Sequence, residues 1–83
     1  MNQKIEEFKS KEERLLNLEY QLIQDFIKLR KEYNLSQQEM ANEANIIRET
    51  IAKIENHLVS PQINTLIKIL EPLGYTIKIE KIK

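Results

Sequence analysis

Residues 35–56 read LSQQEMANEANIIRETIAKIEN, and this stretch carries the start signals and the apolar spacing of two short helices. Ser36 and Glu39 have the spacing of a capping box, in which each side chain binds the free backbone N–H of the other residue at a helix start. A first helix is therefore predicted over about residues 37–43. The apolar spacing behind it predicts a second helix over about residues 47–55.

The turn and the inward faces of the two helices can be read from the same stretch. Asn45 tolerates the left-handed backbone conformation better than most residues do, so it can reverse the chain between the helices. The apolar residues recur at the spacing of one helix face and are predicted to point inward: Met40, Ala41, Ala44, Ile47, Ile51 and Ile54. Two short helices joined by such a turn make a helix-turn-helix. The first helix braces the second, which presents polar side chains to base edges in the major groove of DNA.

A long helix is predicted before this pair, and a third short helix after it. Ser10 and Glu13 have capping-box spacing, and Asn34 can end the long helix. Ser60 as N-cap, with Pro61 at the first helical position, predicts the start of the later helix. The apolar residues of the long helix recur every three or four positions and are predicted to be core: Leu15, Leu18, Leu22, Ile23, Phe26, Ile27, Leu29 and Tyr33.

Composition excludes several classes of function. With 83 residues, one His and no Cys, the chain is predicted to be one domain without disulfides or a metal site. It has one Gly and no Cys nucleophile, so we expect no enzymatic activity, no cofactor and no small-molecule substrate. The charged N-terminus and the absence of an apolar run of roughly 18 residues predict a cytoplasmic protein without a membrane partner.

Residues 35–56 resemble the xenobiotic-response-element family of helix-turn-helix domains, which are similar to phage repressor and Cro proteins. The resemblance covers roughly residues 19–74 and rests on pieces that keep register: Leu35-Ser36-Gln37, Glu39-Met40-Ala41, Ile46, Arg48, Thr50-Ile51, Ile54-Glu55-Asn56, Pro61, Thr65-Leu66 and Leu73-Gly74. It implies a mostly all-α, five-helix domain.

The segments on either side of residues 35–56 indicate a more specific group within this family. EYQLIQDFIKLRKEYNLSQQE on the N-terminal side and GYTIKIEKI at the C-terminal end look like HigA-type antitoxins. That resemblance implies a protein that neutralises a small toxin, which cleaves messenger RNA at the ribosome, and that represses its own operon.

The resemblance also implies a set of DNA-binding residues. Arg48, Glu49 and Lys53 fall on the outer face of the second helix, where the family reads bases, and the side chains of Arg48 and Glu49 suit guanine and cytosine respectively. Gln37 occupies a position that in related repressors contacts a phosphate and supports a reading side chain. Ile47 can touch a thymine methyl group, although it can equally pack into the core. The full set of candidates is Gln37, Ile47, Arg48, Glu49, Thr50, Lys53, Asn56 and Ser60.

The sequence departs from the family pattern at three positions and in its charge. Asn45 replaces the usual turn glycine, and His57 stands where glycine is common. Ile47 stands where Ser or Thr usually caps the second helix, so about 1 kcal/mol of capping is expected to be missing. Acidic residues outnumber basic ones between Leu35 and Ser60. Because DNA affinity depends on phosphate neutralisation, we expect weak DNA binding by an isolated copy, strengthened by a second copy or a basic partner.

The C-terminal segment alternates apolar and polar residues, with Tyr75, Ile77 and Ile79 on one side. This pattern predicts a strand, and a lone strand needs a partner for its backbone groups. We expect it to pair with the same strand of a second copy in a homodimer. The alternatives are a loose tail and pairing with an edge strand of the toxin.

The predicted organisation is an N-terminal helical arm at residues 1–17, a helix-turn-helix domain at 18–74 and a dimerisation strand at 75–83. The arm either covers the core or holds a partner. The predicted function is that of an antitoxin and autorepressor, with a palindromic operator and a toxin as partners. The alternatives are a repressor without a toxin, from a phage, mobile element or restriction system, and a protein clamp that no longer binds DNA.

Overall fold

The computed structural model describes residues 3–82, with side chains described from residue 11 onward. No helix among these residues is both long enough and apolar enough to cross a bilayer. The described chain is all-helical, with four α-helices and a closing 3₁₀ turn: α1 (Gln3–Glu32), α2 (Gln37–Ala44), α3 (Arg48–Glu55), α4 (Ile63–Leu70) and the turn Glu71–Leu73.

The prediction of five helices is wrong, because the described residues form four α-helices, and α1 runs unbroken through Ser10, where the long helix was expected to start. Serine is tolerated inside a helix, and the residues around Ser10 include no Gly or Pro that would break one. The boundary predicted between residues 17 and 18 falls inside this continuous helix, and the division into arm and domain stays a prediction. Residues 1 and 2 of the arm lie outside the described residues.

The prediction of a C-terminal strand is also wrong. After Tyr75, whose N–H donates to the carbonyl of Leu70 (3.1 Å), residues 76–82 have no regular secondary structure. A strand needs a hydrogen-bonded neighbour, and the neighbour of this tail is a helix. Tyr75 lies beside Leu22 and Leu29 of α1, and Ile82 lies beside Leu15 of the same helix. The tail therefore runs back along α1, and Lys83 lies outside the described residues.

The core lies between the C-terminal half of α1 and the three shorter helices. The inward faces predicted for α2 and α3 are confirmed, except that Ile47 is exposed. The predicted apolar stripe of α1 is confirmed for Ile23 and Phe26, which are buried, and in part for Ile27 and Leu29, which pack against the core. It is wrong for the exposed side chains Leu15, Leu18, Leu22 and Tyr33, which the shorter helices leave uncovered. The buried residues are Ile23, Phe26, Met40, Ala41, Ala44, Ile51, Ile54, Leu66, Ile69 and Leu70.

Local signals set the ends of α2. The capping box is confirmed, because the Ser36 N–H donates to Glu39 Oε1 (2.8 Å) and the Glu39 N–H donates to Ser36 Oγ (3.0 Å). Asn34 and Asn45 end α1 and α2 in the left-handed conformation, with φ of 56° and 58°. His57 is also left-handed, and a left-handed conformation at this position explains why the family favours glycine there.

The starts of α3 and α4 are less well capped. Ile47 is the N-cap of α3 and offers no side-chain hydrogen bond, which confirms the expected loss of a cap. The predicted start of α4 at Ser60-Pro61 is wrong, because Gln62 is its N-cap. The Ser60 hydroxyl instead donates to the carboxylate of Glu19 in α1.

The missing cap of α3 predicts that Ile47→Ser stabilises the protein. A serine hydroxyl can accept a hydrogen bond from a free N–H of α3, which is worth about 1 kcal/mol, and Ile47 is 64% exposed, so little packing is lost. The free energy of unfolding in urea measures the effect. Ile47→Ala is the matched control, because it removes the same exposed side chain without supplying a cap. Equal stability of the two variants would contradict the prediction.

Candidate nucleic-acid interface

The outer face of α3 is open to solvent. Arg48, Glu49 and Lys53 are exposed, whereas Ile51 and Ile54 on the opposite face are buried. The buried pair holds α3 on the core through one side, so its charged side chains project away from the domain. An exposed helix of this kind has the dimensions that the major groove admits.

An ion pair joins the end of α3 to α1. Arg30 Nε donates to Glu55 Oε2 (2.7 Å), and Arg30 Nη2 donates to Glu55 Oε1 (2.9 Å), so the guanidinium and carboxylate meet through two parallel hydrogen bonds. The side chains are only 13% and 8% exposed. Arg30 Nη1 also donates to the carbonyl of Leu35 (2.9 Å), in the loop before α2. One guanidinium therefore fixes three parts of the chain.

Gln37 connects this ion pair to the candidate reading residue Arg48. Its Nε2 donates to Glu55 Oε1 (2.9 Å), and its Oε1 accepts from Arg48 Nη1 (3.3 Å). A carboxylate only accepts and a guanidinium only donates, so both neighbours require the same orientation of the Gln37 amide. Arg30, Glu55, Gln37 and Arg48 thus form one chain of hydrogen bonds, which we call the polar relay.

The relay shifts the pKa of Glu55. Burial raises the pKa of this carboxyl group, but hydrogen bonds from Arg30 and Gln37 and the positive charges of Arg30 and Lys31 outweigh burial. The pKa therefore lies below its ordinary value of 4.5. Glu55 is ionised at neutral pH and can hold both of its hydrogen-bond partners.

Sequence reasoning missed the role of Arg30, and this changes the charge of the site. Glu55 counted as a free negative charge next to the DNA, but Arg30 neutralises it from α1. A signal was present, because Arg30 lies four residues after Phe26 and three before Tyr33, on the apolar side of α1. A charged residue in such a position needs a partner of opposite charge.

The other predicted DNA-binding residues are more scattered. Ile47 and Asn56 are exposed at the two ends of α3, and Thr50 is half-buried. Ser60 is exposed, but its hydroxyl is bound to Glu19, whose negative charge disfavours a phosphate there. The structure joins Gln37 to Arg48 and leaves Ser60 beside α1. DNA contacts by all of these residues stay predictions.

A second feature is an apolar groove between α1 and the loop after α3. Leu16 and Tyr20 form one wall, Leu58 and Val59 form the other, and the groove encloses about 440 Å³. The ring of His57 stacks on Tyr20 with centroids 4.6 Å apart and planes 11° apart. Leu16, Tyr20, Leu58 and Val59 are exposed, and Glu19 is the acidic residue among the lining side chains. We call it the α1–loop groove.

Comparisons with known proteins agree with this geometry. A family model described as helix-turn-helix matches residues 26–79, more than half of the chain. An uncharacterised HTH-type transcriptional regulator of Haemophilus influenzae is 36% identical over 72 residues, which are 87% of this chain and 74% of the relative. No solved structure matches the chain.

The lowered pKa of Glu55 predicts a pH-dependent contribution to stability. Because the folded-state pKa lies below the unfolded value, the ionised carboxylate stabilises the fold above the unfolded value, and this contribution is lost as the pH falls through the folded value. Glu55→Gln is expected to lower the free energy of unfolding by roughly 2 kcal/mol at about pH 7. The difference from the original protein should shrink as the pH falls below 4.5.

Urea unfolding of both proteins across this pH range measures the effect. Glu43→Gln is the matched control, because Glu43 is an exposed acid on α2, and its removal should change stability little at any pH. A difference between Glu55→Gln and the original protein that stays constant on acidification would contradict a stabilising role of the ionised carboxylate.

Proposed function

The chain belongs to the Cro/C1-type helix-turn-helix family of transcription regulators, whose members are typically DNA-binding proteins rather than enzymes. From this premise, we propose that it represses its own operon by placing α3 in the major groove of a palindromic operator. The observation that carries the proposal is the polar relay, which holds the exposed Arg48 at the start of α3 through Gln37. The N-terminal residues of a recognition helix are those that reach base edges.

Each residue of the exposed face has a proposed role. Arg48 donates to O6 and N7 of a guanine, and Glu49 accepts from the amino group of a cytosine. Ile47 contacts a thymine methyl group, and Thr50 lies next to these side chains on α3. Lys53, Asn56 and the Gln37 amide contact phosphates, which position the domain without reading sequence. Ser60 has no proposed role, because its hydroxyl is bound to Glu19.

A palindromic operator requires two copies of α3, so we propose a homodimer. Support comes from the charge of one copy. On the outer face of α3, Arg48 and Lys53 are opposed by Glu49, so a single copy neutralises few phosphates. Tyr75, Ile77 and Ile79 are exposed and are proposed to lie near the second copy, without forming a strand.

We propose that the protein is also the antitoxin of a small basic toxin. The support is the α1–loop groove, which exposes four large apolar side chains beside Glu19, with Glu12 and Glu13 about two helical turns before Glu19 on α1. An apolar groove with an acidic rim suits an amphipathic segment with basic residues. The alternative is a repressor that acts without a toxin, for which the DNA-binding argument is unchanged.

Operator binding is tested with a DNA duplex from directly upstream of the protein's own coding sequence. Arg48→Ala should weaken binding by about 1–3 kcal/mol, because it removes a bidentate base contact. Lys53→Ala should reduce the slope of log affinity against log salt by about one, because one phosphate contact is lost. Fluorescence anisotropy at several salt concentrations measures both quantities.

Two matched controls accompany these variants. Lys81→Ala removes the same charge from the tail and should leave the salt slope unchanged. Gln37→Ala should also weaken operator binding, because it removes the side chain that holds Arg48. Gln38→Ala is its control, because Gln38 bonds to Asn42 on the surface of α2 and lies outside the polar relay. Operator binding that is no tighter than binding to a scrambled duplex would reject the repressor.

The antitoxin role is tested by expressing the product of the adjacent gene in cells with and without this chain. We expect growth arrest that this chain relieves. Leu16→Glu with Leu58→Glu should abolish the relief while operator binding persists, because both side chains line the groove and neither lies on α3. If the adjacent product does not arrest growth, or if this chain does not relieve the arrest, the repressor without a toxin is the correct function.

A further inference from the structure

A long apolar cleft runs between α1 and the C-terminal tail, on a different part of α1 from the α1–loop groove. Two separate hollows of about 620 and 210 Å³, lined by successive stretches of α1, make it up. On α1 its lining residues recur every three or four positions, so they lie on one face of the helix. Its large apolar side chains are 41% to 86% exposed: Leu15, Leu18, Leu22, Tyr75 and Ile82.

We call this feature the helix–tail cleft, and its positively and negatively charged side chains lie at opposite ends of it along α1. Lys11 and Arg14 lie at the N-terminal end, and Asp25 lies at the other end, among the lining residues that the structure describes. Gln21 donates to Asp25 Oδ1 (3.1 Å), and a neutral amide supplies no opposite charge to this side chain. The rise of an α-helix places Lys11 and Asp25 about 21 Å apart along the axis. Leu18 lies midway between them.

We propose that a second copy of this chain occupies the helix–tail cleft, with the two α1 helices antiparallel about a twofold axis near Leu18. In this arrangement Lys11 of each copy faces Asp25 of the other, with Arg14 one helical turn away from the same carboxylate, and the two sets of leucines meet between them. A parallel arrangement would instead place Lys11 against its own counterpart. The charge pattern is therefore self-complementary in the antiparallel sense, which is the requirement of a twofold contact.

The amount of exposed apolar surface also fits a second copy. Five large side chains, each two-fifths exposed or more, leave on the order of 500 Å² of apolar surface, which is more than single scattered residues expose. A standard interface buries about 800 Å² per partner, of which a little over half is apolar. The cleft and its charged ends are thus the right size for one copy of the same helix.

This inference rests on the proposed function only for its biological purpose, because an operator of two half-sites needs two copies of α3. The mass of the dimer and the contacts between its two copies can be tested without DNA. A closed twofold contact also predicts that assembly stops at two copies.

Analytical ultracentrifugation of the full chain, from about 1 to about 100 µM, should give twice the chain mass of 9.9 kDa. Leu18→Glu should give a monomer, because it places two carboxylates together at the axis. Leu58→Glu is the matched control, because Leu58 is 69% exposed against 63% for Leu18 but lies in the α1–loop groove. It should remain a dimer. Circular dichroism checks that each variant keeps its helices.

Charge reversal tests the antiparallel direction. Lys11→Glu with Arg14→Glu, and separately Asp25→Lys, should each weaken dimerisation roughly tenfold or more, because like charges then face each other. An equimolar mixture of the two proteins should recover the original affinity, because every facing pair is again opposite in sign. A monomeric original chain, a Leu58→Glu variant that dissociates, or a mixture that stays dissociated would overturn the proposal. A Leu18→Glu variant that stays dimeric and still binds operator DNA would overturn this inference and leave the proposed homodimeric repressor standing.

Discussion

The bidentate contact between Arg30 and Glu55 is the interaction on which the arrangement of this protein depends. The two side chains are nearly buried, and burying charges is costly unless each is paired and its remaining hydrogen-bonding groups are satisfied. Here the Leu35 carbonyl takes a third guanidinium hydrogen, and Gln37 gives the carboxylate a third donor. No buried side-chain nitrogen or oxygen among the described residues lacks a partner. The pair therefore fixes α1, the following loop and the end of α3 in one geometry.

The same interaction connects stability to recognition. The Gln37 amide has two possible orientations, and an ionised Glu55 permits only the one that offers oxygen to Arg48. The side chain at the start of α3 is thereby held by a group that is part of the core. Holding a long side chain in place before binding lowers the entropy lost when it meets a base. A structural ion pair in the interior can in this way affect a surface that it does not touch.

The parts of the fold that local chemistry determines could be predicted from the sequence, and the parts that distant residues determine could not. The Ser36–Glu39 capping box, the left-handed Asn45 and the inward face of α2 each depend on residues within one or two turns. The relay joins residues 25 and 18 positions apart, and sequence spacing gives no register for such contacts. The prediction of a C-terminal strand was wrong for a related reason. The alternation of apolar and polar residues is a property of one segment, whereas a strand also requires a neighbouring segment with which its backbone can form hydrogen bonds. The candidate reading face of α3 followed from periodicity, whereas the Gln37–Arg48 contact needed both the family resemblance and the coordinates.

The apolar stripe of α1 shows how one sequence pattern can serve two purposes. The part of this stripe that faces the core is covered by the shorter helices, whereas Leu15, Leu18 and Leu22 remain open along the tail. Periodicity identifies an amphipathic face but does not say what covers it. Among the residues whose side chains the structure describes, ten form the buried core, so the domain gains much from covering more surface. The proposed second copy would also change DNA binding. When a dimer links two weak half-site contacts, the second contact becomes intramolecular. The effective concentration of the second copy then raises the overall affinity for DNA, which the few positive charges of one copy leave low. In the proposed dimer, the near-neutral outer face of α3 and the uncovered leucines of α1 are therefore consistent features of one design, in which assembly supplies the affinity that charge does not.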